Sequence, residues 1–392
     1  MKPIKMAENV YKIGAIDWNR RLFDSLIPIP KGTTYNSYWV EGKEKTALID
    51  TVEPMLWEVL EEQISHASRL DYIIANHAEQ DHSGSIPHVL KKFPEAKVVT
   101  NTRAKSMLMD LLAIEEKCFH VVNDGDTLSL GGKTLRFALT PWVHWPETMV
   151  TYLEEDRILF SCDFFGSHLA TSKVYAEEDY EVYDAAKRYY AEIMMPFARE
   201  VMKNLEKVEK WDIQCIAPSH GPMYNKPAFI MNAYREWLSE KPRNKALVIY
   251  ISMHGSIQKM AQYLTAALAD KGIEVKLYDL TVMDLGELAM DLVDTATIVL
   301  GTPVVLGGAH PNALYAAYLV NLLQPKVKFA TFLSSFGWGG KAIRDLQDTL
   351  NRLKIEILPV ITSKGYPKSD VFQGLDELAE TIRVKHQELF RQ

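Results

Sequence analysis

The most restrictive feature of the sequence is a regular alternation of strand-like and helix-like segments after residue 243. Five β-branched or aliphatic runs, each typical of a buried strand, alternate with stretches of helical pattern. The predicted strands are 246–251, 274–278, 296–300, 329–333 and 355–360, and the predicted helices begin near Ile257, Asp284, Asn312, Lys341 and Asp370. Because parallel strands are joined by right-handed crossovers, this pattern predicts a doubly wound sheet of five parallel strands.

The preceding region has shorter strand-like runs with helices between them. Its predicted strands are 35–40, 46–50 and 72–75, with weaker ones at 98–99 and 135–138, a turn at Gly42 and a helix over 54–67. Strands grouped at both ends of the region predict a layered α/β domain. The polar segment 239–245 contains a proline and is typical of a linker, which predicts domains at 1–242 and 243–392.

Composition excludes several classes of function. The chain is 47% hydrophobic and 24% charged with a formal charge of -7, and no basic block indicates binding to nucleic acid or to a membrane surface. No long apolar run or apolar signal core occurs, so we expect a cytoplasmic protein. Three cysteines without a C-x-x-C pair exclude a disulfide framework and a four-cysteine iron site. Any metal should therefore be held by histidines and carboxylates.

Potential metal ligands follow the predicted strand 72–75. His77, Glu79 and Asp81 are spaced so that a tight turn can aim them at one point, and His82 follows directly. The carboxyl end of a buried strand is where α/β sheets place their sites. A single histidine, or one Asp-His pair capping a helix, would more often be structural, so the rest of the chain has to supply further ligands.

Three later segments supply such ligands. His144 lies in a P-W-V-H-W-P turn, Asp163 ends the run I-L-F-S-C-D, and His220 lies in the segment I-A-P-S-H-G-P. Each residue alone is a weak signal, because aspartate and histidine are common in turns. Together with the first cluster they predict a site for two metal ions that share a bridging carboxylate.

Three loops of the second domain predict an anion site. The first leads directly into a helix, where free backbone N–H groups and the helix dipole favour a phosphate. The alternative is an ordinary βα turn with a capping serine. The candidate residues are Ser252, Met253, His254, Gly255, Ser256 and Ile257 in the first loop, Thr302, Pro303, Val304, Val305, Leu306 and Gly307 in the second, and Ser335, Phe336, Gly337, Trp338 and Gly339 in the third.

The order H-x-E-x-D-H, H, D, H resembles the metallo-β-lactamase fold, whose hydrolases usually carry H-x-H-x-D-H. With Glu79 in place of the second histidine, the chain resembles the flavodiiron proteins, also called A-type flavoproteins. The segments D-W-N at 17–19, G-T-T-Y-N at 32–36, H-W-P at 144–146 and S-H-G at 219–221 also resemble motifs of that family. The resemblance covers nearly the whole chain. It implies an αββα sandwich followed by a flavodoxin-like sheet.

The resemblance implies a role for each ligand. His77, Glu79 and His144 would bind one iron, Asp81 and His220 the other, and Asp163 would bridge them. His82 matches a position that is a ligand in some members and only near the metal in others. No catalytic residue beyond the ligands is expected, and protons would come from solvent or a nearby group such as His168.

The resemblance also implies FMN, with its phosphate in the first loop and its ring between the other two. Ile257 stands where threonine is usual in the family and Leu306 where asparagine is common, which puts individual contacts in question. Trp338 would border the flavin ring or belong to the core.

The implied activity is reduction of O₂ to water, of NO to N₂O, or of both. A separate rubredoxin or the reduced deazaflavin F420H₂ would supply the electrons. A linker of about seven residues spans at most ~25 Å when extended, so one chain cannot easily fold its flavin edge over its own irons. The resemblance implies a head-to-tail homodimer, or a dimer of such dimers, that brings flavin and irons together. Two alternatives are a dizinc hydrolase with an appended flavodoxin-like domain and an electron carrier whose first domain is a spent scaffold.

Overall fold

The computed structural model describes residues 2–391, and the chain divides into two compact units, Met1–Leu238 and Ser239–Gln392. The division falls at the first residue of the predicted linker. The domain boundary at residue 242 stays a prediction.

The first unit contains two β-sheets and flanking helices. Its strands are β1 (Ile4–Ala7), β2 (Val10–Asp17), β3 (Leu22–Phe23), β4 (Ile27–Pro28), β5 (Thr33–Glu41), β6 (Thr46–Ile49), β7 (Tyr72–Ile74), β8 (Lys97–Thr100), β9 (Phe119–Val121), β10 (Thr127–Ser129), β11 (Thr134–Leu139), β12 (Met149–Leu153), β13 (Ile158–Cys162) and β14 (Cys215–Pro218). Its helices are α1 (Trp57–Gln63), α2 (Gln80–Ser83), α3 (Ile86–Lys92), α4 (Thr102–Leu112), α5 (Tyr180–Tyr189), α6 (Ala198–Val208) and α7 (Pro227–Leu238). A π-helical segment, Tyr190–Met194, continues α5.

The two sheets have the strand orders β1-β2-β5-β6-β7-β8-β9 and β10-β11-β12-β13-β14. Side chains alternate between the faces of the first sheet, as strand geometry requires. Leu48, Ile73 and Val98 belong to a core shared with α1, α3 and α4. Their neighbours Ile49 and Ile74 belong to a second core that includes apolar residues of both sheets. This arrangement places the sheets face to face with helices outside, which is the predicted αββα sandwich.

The second unit is a doubly wound sheet. Its strands are β15 (Lys245–Tyr250), β16 (Glu274–Asp279), β17 (Thr297–Val305), β18 (Gly308–Ala309), β19 (Phe329–Phe336), β20 (Glu356–Ile357) and β21 (Ile361–Lys364). Its helices are α8 (Ser256–Asp270), α9 (Leu285–Leu292), α10 (Pro311–Leu323), α11 (Ala342–Thr349) and α12 (Ser369–Phe390). The central order β16-β15-β17-β19-β20 is parallel throughout, which confirms the predicted fold class.

The fifth predicted strand, 355–360, is wrong in its extent. The structure has two short segments instead, β20 and β21, and both pair with β19. Pro359 lies between them, and a proline has no N–H group for a strand ladder. The five helices begin within one residue of the predicted starts.

Within residues 2–391 no helix combines the length and the apolar character that crossing a bilayer requires. The longest, α12, has 22 residues and is amphipathic rather than apolar.

Gly42 occupies the predicted turn between β5 and β6, but the structure gives a different reason for the glycine. A Cβ atom built at Gly42 would lie 1.9 Å from the carbonyl oxygen of Leu130. A glycine is therefore required at this position, because two backbone segments approach each other closely.

We predict that Gly42→Ala destabilises the first unit by about 2 kcal/mol, because the backbone must shift to admit the methyl group. This corresponds to a fall of roughly 4–8 °C in the midpoint of thermal unfolding by calorimetry. The matched control is Gly132→Ala, where the nearest atom is 3.6 Å away and only a φ of +81° opposes the side chain; its cost should be about 1 kcal/mol. Equal midpoints for the two variants would contradict this explanation.

Candidate metal centre

All seven predicted metal ligands lie together in the first unit. They form two groups whose ligand atoms lie within 4.8 Å of one another. The first half-site consists of His77, Glu79, His144 and Asp163, and the second half-site consists of Asp81, His82 and His220 together with Asp163.

Strand ends bring these residues together. His77 follows β7, Asp163 follows β13 and His220 follows β14. Because β13 and β14 are parallel neighbours, their carboxyl ends meet. His144 lies in the loop between β11 and β12. Glu79 is the residue before α2, and α2 carries Asp81 and His82.

In the first half-site the ligand atoms surround one point. Oε2 of Glu79 lies 3.1 Å from Nε2 of His77 and 3.2 Å from Nε2 of His144. Oδ2 of Asp163 lies 3.5 Å and 3.4 Å from the same two nitrogens. A single metal ion could therefore bind two imidazoles and two carboxylate oxygens here.

The second half-site has the same composition. Oδ1 of Asp81 lies 3.3 Å from Nε2 of His82, and Oδ2 of Asp81 lies 3.1 Å from Nε2 of His220. Oδ1 of Asp163 lies 3.0 Å from His82 and 3.5 Å from His220. Asp163 thus directs one oxygen at each half-site. His82, whose role the sequence left open, has its ring nitrogen where a ligand would be.

Unsatisfied polar atoms at this site fit bound metal. Both carboxylate oxygens of Asp81, both ring nitrogens of His82 and Oδ2 of Asp163 are buried and make no hydrogen bond within residues 2–391. Burying such groups without partners is costly, whereas coordination would satisfy the carboxylate oxygens and Nε2 of His82. Four imidazoles and three carboxylates suit iron or zinc.

Without bound metal, protons on the histidines supply part of the positive charge that metal ions would supply. Although burial opposes the charge, the carboxylates Asp163 and Asp81 raise the pKa of His82 to about 10. Burial likewise opposes the charge on Asp163, but His82, His144 and His77 hold the pKa of that carboxyl well below its usual range. Metal binding must displace the histidine protons, so metal affinity rises with pH.

Buried residues that the sequence did not indicate orient the ligands. Glu147 is 2% exposed, and its Oε1 lies 2.7 Å from Nδ1 of His77 and accepts a hydrogen bond from the N–H of Ala78. For His220, Nδ1 lies 2.7 Å from the carbonyl oxygen of Thr34. These contacts fix the Nδ1–H tautomer when Nε2 binds metal. The only sequence signal for Glu147 was its place directly after the H-W-P motif.

Polar residues inside β5 explain the G-T-T-Y-N motif. Nδ2 of Asn36 donates hydrogen bonds to the carbonyl oxygens of Pro218 and Gly221, both at 2.8 Å. Oγ1 of Thr34 accepts a hydrogen bond from the N–H of Gly221. These bonds hold the loop that carries His220 from both sides.

A second buried network holds the segment before His77. The carboxylate of Asp50 accepts hydrogen bonds from the N–H and Nδ2 groups of Asn76, at 2.9 Å and 3.0 Å. Oδ1 of Asn76 accepts from Thr151. Asp50 therefore has a structural role at the site.

Cys162 lies close to the metal centre. It could form a group with His82 and Asp163. Burial and the carboxylates Asp50 and Asp163 raise the pKa of the Cys162 thiol well above its usual value. The histidines and carboxylates remain the candidate ligands, because they form both half-sites without the thiol.

His168 is buried, and Nδ1 of its ring lies 2.9 Å from Oγ1 of Thr33. Burial and the neighbouring His220 lower the pKa of His168 well below its usual value. A role for His168 in supplying protons stays a prediction.

A cavity of about 200 Å³ opens onto both half-sites. Its walls include Arg20, Phe23, Asp24, Glu53, Glu79, Gln80, Asp81, Leu111 and Trp145. Oδ1 of Asp17, in the D-W-N motif, accepts hydrogen bonds from the N–H groups of Asn19 and Arg20 and so turns the chain at the cavity wall. The space is smaller than a typical site for a drug-sized ligand and suits small molecules.

The three candidate segments of the second unit lie at the carboxyl ends of β15, β17 and β19, which are adjacent in the sheet. The first follows β15, but residues 302–305 belong to β17 and residues 335–336 belong to β19, so these two strands extend further than predicted. Oγ of Ser252 accepts a hydrogen bond from the N–H of Gly255 and shapes the first loop. Gly255 has a φ of +84°, and no side chain among the described residues caps α8 there. The first N–H groups of α8 therefore remain available for an anion.

The residues that depart from the family pattern have distinct positions. Ile257 is buried in the core of the second unit, so its side chain faces away from the loop. Leu306 is fully exposed with a φ of +51°, at the hairpin tip between β17 and β18. Trp338 is 87% exposed, which excludes the core position for it. Oγ1 of Thr302 accepts from the N–H of His310 and supports the second loop.

The chain is similar to known proteins over nearly its whole length. Residues 33–221 match the model of the ODP family beta lactamase. The chain is 34% identical to a nitric oxide reductase of Moorella thermoacetica, covering 98% of this chain and 99% of that protein. It is 33% identical to a coenzyme F420H₂ oxidase of Methanocaldococcus jannaschii, covering 98% and 97%. The structure of rubredoxin oxygen:oxidoreductase from Desulfovibrio gigas matches with a TM-score of 0.95 at 28% identity, over 99% of each chain.

We predict that Asp163→Ala lowers the metal content from two ions per chain to one or fewer, because each half-site loses an oxygen ligand. Metal analysis after anaerobic reconstitution with iron(II) measures this. The control is Asp212→Ala, which removes an exposed carboxylate of the same unit. An Asp163→Ala protein that keeps both irons and full turnover would show that the bridge is assigned wrongly.

Proposed function

The chain belongs to the flavodiiron proteins, and on this premise we propose that it reduces O₂ to water, NO to N₂O, or both, at a non-haem diiron centre supplied with electrons by FMN. We assign His77, Glu79 and His144 to one iron and Asp81, His82 and His220 to the other, with Asp163 between them.

The observation that carries the proposal is the carboxylate of Glu79 between His77 and His144. The hydrolases that share this fold usually have a histidine at that position, which favours zinc. A carboxylate there gives both half-sites the same oxygen-rich donor set, which suits iron. For this reason a dizinc hydrolase is the weaker alternative.

When bound, the irons supply coordination sites and electrons for a small oxidant, and FMN supplies electrons in turn. The side chains named above hold the metals, and Glu147 and Thr34 orient two of the imidazoles. The small cavity beside Glu79 and Asp81 has room for O₂ or NO.

For FMN we assign the phosphate to the first loop of the second unit, where the N-terminus of α8 has no side-chain cap within the described residues. The ring would lie between the second and third loops, beside Leu306 and Trp338. Their exposed apolar side chains are suited to cover an aromatic ring. A chain that carries both sites intact is better suited to an enzyme than to an electron carrier on a spent scaffold.

The electron donor is proposed to be external, either F420H₂ or a reduced rubredoxin. Relatives that cover most of this chain carry the names coenzyme F420H₂ oxidase and rubredoxin-oxygen oxidoreductase. We further propose a head-to-tail homodimer, or a dimer of such dimers, because exposed Met253, Leu306 and Trp338 form apolar loop tips. A cytoplasmic location is proposed as well, since Cys118, Cys162 and Cys215 are unpaired.

The proposal predicts one FMN and two irons per chain, and turnover of O₂ or NO by the reduced protein. The measurement is gas consumption with each of the two donors, alongside metal and flavin analysis of the same sample. A protein that contains zinc alone, shows no flavin absorption and consumes neither gas would overturn the function.

A mixed dimer tests the assembly. One chain carries Asp163→Ala and keeps its flavin, and the other carries a disrupted 252–256 loop and keeps its irons. If electrons pass between chains, the hybrid retains one intact flavin-to-iron pair and recovers part of the activity that each mutant homodimer lacks. A completely inactive hybrid, verified as mixed, would refute the head-to-tail arrangement.

A further inference from the structure

The direct donors to the two half-sites are matched. Each half-site offers two Nε2 atoms, one terminal carboxylate and one oxygen of Asp163. Groups that contact the ligands are therefore one source of a difference between two bound irons. Such outer contacts tune how strongly a ligand donates electrons to a metal.

On the first half-site the outer contact is a buried anion. Nδ1 of His77 faces Oε1 of Glu147 at 2.7 Å, and Glu147 is 2% exposed. Two hydrogen bonds fix Glu147 in place. Oε1 of its side chain accepts from the N–H of Ala78, and its backbone carbonyl oxygen accepts from Nδ2 of Asn101. A carboxylate that accepts the Nδ1 proton makes the imidazole a stronger donor, and this stabilises iron(III) over iron(II).

On the second half-site the outer contacts are neutral or withdraw electron density. Nδ1 of His220 meets only a carbonyl oxygen, that of Thr34, and a hydroxyl, that of Thr33. The hydroxyl of Tyr189 donates a hydrogen bond of 2.7 Å to Oδ1 of Asp163, which is the oxygen that faces this half-site. A hydrogen bond to that oxygen weakens its donation to the metal and so favours iron(II).

One other buried carboxylate lies near the ligands. Asp50 is hydrogen-bonded to Asn76 and Ser219, and neither is a metal ligand. Its charge acts through space rather than through a ligand, so it provides a direct comparison with Glu147.

We infer that Glu147 and Tyr189 are positioning residues that make the two half-sites unequal, so that the iron of the second half-site is reduced before the iron of the first. An iron held by Asp81, His82 and His220 would accept the first electron, and an iron held by His77, Glu79 and His144 would accept the second. FMN supplies both electrons in turnover, so the inference rests on the proposed function.

The test is an anaerobic potentiometric titration of the protein with its FMN and both irons. Electron paramagnetic resonance follows the half-reduced diiron centre, whose signal forms at the upper midpoint potential and disappears at the lower. Glu147→Gln should raise the lower midpoint, and Tyr189→Phe should lower the upper one, so that the two variants narrow the gap from opposite sides. We expect at least a tenfold change in the iron(III)/iron(II) ratio, about 59 mV, in each.

Two controls separate this effect from others. Tyr190→Phe alters a neighbouring buried tyrosine whose hydroxyl bonds to the carbonyl oxygen of Trp237, and both midpoints should stay unchanged. Asp50→Asn removes a buried charge that bonds no ligand, and it should shift the midpoints less than Glu147→Gln does. If the Glu147→Gln protein does not bind iron, the comparison of Tyr189→Phe with Tyr190→Phe tests the inference.

The inference is overturned if Glu147→Gln raises the upper midpoint instead, if Tyr189→Phe and Tyr190→Phe behave alike, or if Asp50→Asn has the largest effect. A wild-type protein that binds no iron would contradict the proposed function as well. If the wild-type protein shows two midpoint potentials but the variants do not shift them as described, only the inference is contradicted.

Discussion

Three carboxylates and four imidazoles converge on one largely buried space, and most other features of the first unit serve to keep them there. Mutual repulsion and desolvation would drive such groups apart, so the loops that carry them must be rigid. Asn36 and Thr34 bind the loop of His220, and the Asp50–Asn76 pair binds the segment of His77. Bound metal ions would stabilise the three carboxylates, because they supply the positive charge that protonated histidines otherwise provide.

The direct ligands could be predicted from the sequence because they are local signals. A histidine or carboxylate directly after a buried strand is visible in the chain, and the sheet brings such ends together without any knowledge of side-chain contacts. Glu147, Thr34 and Tyr189 could not be found in this way. Their roles depend on contacts between residues far apart in sequence, such as the 70 positions that separate His77 from Glu147.

The fold was likewise predictable where buried apolar residues recur with the regular spacing of a strand or a helix. The five β/α units of the second unit begin close to the expected positions, since each strand is a short aliphatic run. The split of the last strand depends on Pro359, which has no N–H group for pairing with β19. The positions of Ile257 and Trp338 depend on tertiary packing, which places one in the core and the other in solvent.

The proposed function requires two irons that flank a single carboxylate. Anomalous diffraction from crystals of the purified protein, recorded at the iron and zinc absorption edges, tests this most directly. We expect two iron peaks per chain, one on each side of Asp163, with His77 and His144 at one and His82 and His220 at the other. A single peak, or two peaks that scatter only at the zinc edge, would contradict the diiron centre.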